Sequence, residues 1–239
     1  MFERPHHQRI ARVLMALDAP LLRSHQCWFG GGTAIALRHG EYRESRDIDL
    51  LVSDTAGYRE LRQHLRGAHD LGPLTRPGAE TFAFEREIRI DQYGIRGFVL
   101  VDRVAIKFEI LHEGRIGFEV PPRTNQTCGV ATLTLIDLAA SKLLANADRW
   151  RDDSVFARDT LDLAMLELPP RRLRPALAKA MQAYGPGVLE DLHRALRALR
   201  ERPGWLAHCM QSLAIGLAPA AMHQRLRRLE HRATSGPPT

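Results

Sequence analysis

The run Gly30-Gly31-Gly32-Thr33 is followed, fifteen residues after Gly32, by Asp47-Ile48-Asp49-Leu50-Leu51-Val52. This pairing constrains the chain more than any other feature. The second segment reads as a buried strand, yet it carries two carboxylates. Side chains alternate across a strand, so Asp47 and Asp49 share one face while Ile48 and Leu50 share the other. Ile48 and Leu50 can enter a core. The two like charges on the opposite face repel and cost free energy unless a cation offsets them. Paired hard oxygens of this kind suit Mg²⁺.

A third carboxylate stands in Ile106-Lys107-Phe108-Glu109-Ile110, where the apolar residues take one face and Lys107 and Glu109 the other. If that strand lies beside the Asp47 strand, Glu109 joins the two aspartates. Three carboxylates could hold two metal ions ~3.5–4 Å apart, the arrangement used for nucleotidyl transfer, or Glu109 could act as general base. Gly31 and Gly32, without Cβ atoms, let the backbone approach phosphate oxygens, and Thr33 would begin a helix whose free N–H groups point at the same anion. No Gly-Lys-Ser/Thr follows, so this is not a Walker A loop. Each element also has a plainer reading: a tight strand–helix turn, a solvated edge strand, an exposed sheet residue. Their order and spacing together favour function.

The surrounding pattern gives the organisation. A helix is expected over 4–18, with Ile10, Val13, Leu14 and Leu17 at helical spacing, then a short strand at Cys27-Trp28-Phe29 and a helix from Thr33 to His39. A further helix follows over Thr55 to Ala68, and residues 81–120 alternate like a strand meander with tight turns. After Pro121-Pro122 the chain reads as wholly helical, near 134–147, 154–167, 172–183, 187–201, 205–215 and 219–232, with Ser235 to Thr239 as a frayed tail. The outline is an α+β domain over 1–122 and a helical domain over 123–239.

Composition excludes several classes. No apolar run among the 239 residues approaches the ~20 needed to cross a bilayer, and the start lacks a signal-peptide pattern. Cys27, Cys128 and Cys209 are odd in number and far apart, which points away from disulfides or a zinc site and towards a reducing cytoplasm. The eleven histidines show no ligand spacing and read as structural or surface residues, His6 and His7 lying at a flexible start. Residues 171–239 hold 12 basic against 4 acidic side chains, a net of +8, leaving −2 for the remainder of a chain whose total is +6. That asymmetry suits an anionic partner such as nucleic acid, and equally a solvated arginine-rich face.

Taken together, Gly31-Gly32-Thr33, then Arg43-Glu44-Ser45-Arg46-Asp47-Ile48-Asp49-Leu50, then Lys107-Phe108-Glu109-Ile110 resemble the nucleotidyltransferase superfamily, and specifically its AbiEii/AbiGii toxin family. The likeness continues through Asp137 to Ala145, around Lys142, and through Arg158-Asp159-Thr160-Leu161-Asp162-Leu163. It implies a polymerase-β-like nucleotidyltransferase fold, a mixed sheet with flanking helices plus an all-helical C-terminal domain. It implies an NTP substrate, two Mg²⁺ ions (or Mn²⁺), an RNA acceptor such as tRNA, and an antitoxin partner, as in toxin–antitoxin or phage-defence systems. By position, Asp47, Asp49 and Glu109 would be catalytic and metal-binding residues. Gly31, Gly32, Thr33, Arg43, Ser45, Lys142 and Asp159 would bind the nucleotide. Arg43 could instead pair locally with Glu41 or Glu44, and Arg158 with Asp162 at i, i+4. The chain departs from the family pattern in having Glu rather than Asp at the third acidic position, and in a longer loop at Trp150-Arg151-Asp152-Asp153-Ser154. A non-catalytic binding module and a small-molecule nucleotidyltransferase of the aminoglycoside-modifying kind remain the alternatives.

Overall fold

A computed structural model of the chain describes residues 2–234, so the tail expected at Ser235 to Thr239 lies outside the described residues. The chain divides into two compact units, Met1–Glu41 with Ser45–Thr134, and Tyr42–Glu44 with Leu135–Thr239.

The first unit is built on a five-stranded mixed sheet in the order β1-β2-β5-β4-β3. Its strands are β1 (Cys27–Phe29), β2 (Asp47–Val52), β3 (Arg89–Ile90), β4 (Gly94–Val101) and β5 (Val104–His112). The residues that alternate inward close its core: Trp28, Ile48, Leu50, Ile106, Phe108 and Ile110 are all at most 1% exposed. β2 runs parallel to β5 and antiparallel to β1, while β3, β4 and β5 form the predicted meander. The β4–β5 turn is made by Asp102 and Arg103, both at positive φ, the geometry whose twist matches that of the strands it joins.

Helices α1 (Pro5–Ala16), α2 (Ala19–Ser24), α3 (Gly31–Arg38) and α4 (Thr55–Leu65) flank the sheet. Pro5 opens α1 at a position where its missing N–H costs nothing. Asp18 and Asp54 cap α2 and α4 by accepting from the backbone N–H groups of Leu21 and Gly57. α3 starts at Gly31, two residues earlier than the sequence suggests. A two-stranded hairpin, β6 (Gln126–Thr127) with β7 (Val130–Ala131), stands where only helix was expected.

The second unit is helical, with α5 (Leu135–Arg149), α6 (Arg158–Met165), α7 (Pro170–Tyr184), α8 (Gly187–Glu201), α9 (Trp205–Ser212) and α10 (Pro219–Thr234). α5 packs on α6, α7 and α8. Each helix turns its leucines and alanines inward, among them Leu143, Leu161, Leu173, Ala180, Leu192 and Leu226, all at most 1% exposed. Among the described residues no helix is long and apolar enough to cross a membrane.

Candidate functional site

Strand register assembles the acidic face of the first unit. The parallel β2–β5 pairing sets Asp47 opposite Lys107 and Asp49 opposite Glu109. Because Ile48, Leu50, Phe108 and Ile110 point into the core, the three carboxylates emerge on the other face. Asp47 and Asp49 are half-buried, and Glu109 is 7% exposed.

The glycine turn meets this face. Gly31 lies at φ +68°, and a Cβ built on it would come within 2.1 Å of Asp49 Oδ2. Only glycine lets the backbone pass that close to the carboxylate, and the left-handed conformation independently favours it. The Gly30 N–H donates to the Asp49 carbonyl at 2.9 Å, which ties the turn to the strand. Gly32 and Thr33 are buried in the first turn of α3.

Thr33 and Ser45 act on the strand. Their hydroxyls are 2.7 Å apart, and Thr33 Oγ1 donates to the Asp47 carbonyl at 2.6 Å. Behind them stands His7, fully buried rather than part of a flexible start. Its Nε2 accepts the Ser45 N–H at 3.0 Å, and its Nδ1 lies 2.7 Å from Glu41 Oε1. An acceptor at Nε2 requires the neutral ring with the proton on Nδ1, donated to Glu41. Burial lowers the His7 pKa, with Arg4 and His6 adding to the fall and Glu41 opposing it. Glu41 also accepts from the Glu3 and Arg4 N–H groups ahead of α1, and its own pKa is lowered by these bonds and by His7 against the opposing effect of burial. A chain of contacts thus runs from α1 through His7 to the residue two before Asp47.

The donor chemistry of Asp47 and Asp49, hard oxygens two residues apart on one strand face, fits a divalent cation. Glu109 is engaged differently. Lys107 Nζ donates to its Oε2 at 2.5 Å, and Arg96 Nε lies 3.4 Å from Oε1. Among the described residues no three Asp, Glu, His or Cys side chains stand close enough together to hold a metal.

Arg43, Lys142 and Asp159 come together in the second unit, in a buried ion network. Arg43 donates through Nε and Nη2 to the two oxygens of Asp162, at 2.8 and 3.0 Å, a bidentate pair, and locally its Nη1 donates to the Glu44 carbonyl at 2.9 Å. Asp162 also accepts from the Tyr42 hydroxyl and from Lys142 Nζ, the latter at 2.7 Å, rather than pairing with Arg158 along its own helix. Lys142 Nζ reaches Asp159 at 2.8 Å, and Arg149 clamps the same carboxylate at 2.6 and 3.0 Å. Burial alone would push the two aspartates up and the lysine down. The opposite charges outweigh it, so Asp159 and Asp162 lie below the ordinary carboxylate range and Lys142 above the ordinary amine. These groups satisfy one another and bind Tyr42–Glu44 into the helical unit.

Arginines also line a groove in each unit. In the first unit Arg59, Arg62 and Arg66 border a space of about 400 Å³ beside Ile90, and among the described residues these three form no ion pair. Their i, i+3, i+7 spacing, along α4 and onto its C-cap Arg66, was the signal that sequence reading overlooked. In the second unit Arg227, Arg228 and Arg232 of α10 line another of about 390 Å³.

The chain matches the nucleotidyltransferase AbiEii toxin family of type IV toxin–antitoxin systems over residues 12–230. Two solved structures share its fold. One is a predicted nucleotidyltransferase of H. pylori, 15% identical, with a TM-score of 0.52 over 95% of this chain and 91% of that one. The other is JHP933 of Helicobacter pylori, 13% identical, with a TM-score of 0.53 over 98% and 92% of the two chains. No protein of curated function matches the sequence. A match over nearly the whole length, on a sheet that sets Asp49 beside Glu109, establishes that the chain belongs to the AbiEii nucleotidyltransferase toxin family.

Proposed function

We propose that the chain moves a nucleoside monophosphate from an NTP to a hydroxyl of an RNA acceptor, tRNA in the first instance, and releases pyrophosphate. In this reading it works in the cytoplasm as a toxin whose activity a cognate antitoxin restrains. The observation that carries it is the β2–β5 register, which lines up Asp47, Asp49 and Glu109 beside the Gly31 turn.

Asp47 and Asp49 would hold Mg²⁺, which when bound supplies positive charge for the triphosphate and lowers the pKa of the attacking hydroxyl. The backbone N–H groups at Gly31 and Gly32 would take phosphate oxygens, and the absence of a side chain at Gly31 keeps Asp49 within reach of them. The acceptor oxygen bonds to the α-phosphorus as the bond to pyrophosphate breaks. Glu109 is the base nearest this face for the departing proton, once Lys107 yields its oxygen. Thr33, Ser45 and His7 would serve by fixing where β2 begins. Arg43, Lys142 and Asp159 would contribute through the network that orders Tyr42–Glu44. The arginines of α4 and α10 suit the phosphates of an RNA chain.

One observation favours a second reading. Glu109 is neutralised by Lys107 and Arg96, as it would be in a module that binds nucleotide without turnover. The deciding experiment incubates the protein with Mg²⁺, each labelled NTP in turn and total tRNA, beside an Asp47→Ala/Asp49→Ala variant. Label on tRNA with the wild type alone is the expected result. NTP binding that depends on both aspartates but yields no labelled RNA would select the second reading. Binding indifferent to them would remove the metal site from both.

A further inference from the structure

The functional reading above leaves the loop after α5, residues 150–157, without a role. It borders a cleft of about 230 Å³ in the helical unit, whose lining includes Trp150, Arg151, Trp205, Arg202, Ala195 and Ala198. We infer that this cleft is a stacking site for a single unpaired nucleobase, with Arg151 taking the adjoining phosphate.

Both indoles are half-buried and held in place. Trp150 Nε1 donates to Asp191 Oδ1 at 2.8 Å. Trp205 packs against the His208 ring at 5.6 Å, and His208 meets Phe156 edge-on at 5.6 Å. The guanidinium of Arg202 lies 4.3 Å from the Trp205 centroid and is locked by two bonds to Asp153, at 2.8 and 2.9 Å. Arg151 lies 4.6 Å from the Trp150 centroid, and among the described residues it has no carboxylate partner. These flat, oriented surfaces need little ordering before a ring stacks on them. The volume falls below the ~300–1,000 Å³ of pockets that enclose a whole small molecule, so it suits one ring system.

The backbone supplies an independent observation. Phe156 and Ala157 are consecutive non-glycine residues in the left-handed region, at φ 52° and 49°. Strain of this kind concentrates where a segment is held for a purpose, and here it carries Phe156 to the ring cluster and Ala157 to the cleft wall. Arginines shielding exposed tryptophans would explain the two stacks. They would not explain the cleft that both indoles line or the strained pair beside it.

The inference rests on the proposed nucleotide chemistry for its choice of ligand, but its test needs neither metal nor turnover. Tryptophan fluorescence of the intact protein is followed in EDTA during titration with AMP and, separately, with a hexamer of riboadenylate. Trp28, 1% exposed, provides a constant background. Saturable quenching is expected, weakened about tenfold or more when Ala198→Leu fills the cleft. Arg151→Gln, a change at an exposed side chain, should weaken binding severalfold and leave the helical circular-dichroism signal of the free protein unchanged. Tighter binding of the hexamer would identify an RNA strand as the ligand, and equal binding a free nucleotide; either supports the site. Absence of quenching by both, or quenching that neither variant alters, would overturn it. Failure of tRNA labelling by the wild type would count against the transfer reading alone.

Discussion

Gly31 and Asp49 interlock: the space a Cβ would fill at Gly31, 2.1 Å from Asp49 Oδ2, is already occupied by the carboxylate. Gly31→Ala must therefore displace Asp49 as well as strain the backbone at φ +68°. The strain costs about 1–3 kcal/mol. Displacing the carboxylate by about 1 Å should lower nucleotide transfer by ~10²-fold. Gly40 provides the control, because it has the same handedness at φ +69° with nothing within 4 Å of its Cβ position. Gly40→Ala should lose comparable stability in urea denaturation and keep its transfer rate. Equal activity in both variants would show that Asp49 is not needed where it stands.

Much of this site is visible in the sequence, because a period of two is enough to put Asp47 and Asp49 on one face and Lys107 and Glu109 on one face. The adjacency of β2 and β5 is a matter of tertiary pairing, for which periodicity has no signal. The β6–β7 hairpin escapes for a local reason. Its turn is Cys128-Gly129, with φ values of 51° and 84°, and cysteine is not the Asn or Asp that announces such a turn. His7 reads as an exposed terminal histidine until its partner Ser45 is known, and Arg43 meets Asp162 only through the fold. Strand faces are written locally, whereas buried ion pairs between distant residues are not.

Asp162 holds Arg43 and Lys142 at once in a buried setting, so its removal should be among the most damaging changes in the helical unit. Asp162→Ala leaves two cations with fewer partners, and about 3–5 kcal/mol of stability should be lost in denaturant titration at neutral pH. The pH dependence has a definite sign. Asp159 and Asp162 titrate below their unfolded values, so their stabilisation is present above about pH 4 and is lost as pH falls through the folded values. The gap between wild type and variant should thus narrow on acidification below pH 4. A loss under 1 kcal/mol at neutral pH would mean that the network contributes little.

The α4 groove should announce itself in the salt dependence of RNA binding. Replacing Arg59, Arg62 and Arg66 together with glutamine removes three cations that form no ion pair among the described residues. If each neutralises one phosphate, the slope of log K against log salt should become shallower by about 2 for a single strand. An unchanged slope would take α4 out of the RNA-binding surface and leave α10 as its candidate.

His7 yields the most specific pH prediction. Its neutral ring bridges Glu41 and the Ser45 N–H, so His7→Phe keeps a ring of similar size while orphaning the buried Ser45 N–H and removing one of the donors to Glu41. The expected cost at pH 7.5 is about 1–3 kcal/mol. Because burial lowers the folded pKa of His7, the unfolded chain takes up the proton first as pH falls. The stabilisation is therefore complete above about pH 6.5, the unfolded value, and declines below it through the folded value. Protonation also removes the acceptor for Ser45 N–H, which loosens the chain two residues before Asp47. Wild-type stability, measured against His7→Phe from pH 7.5 to 5, should converge on the variant's. Two curves that stay parallel across that range would show that His7 remains in one protonation state and does not tie the start of β2 to pH.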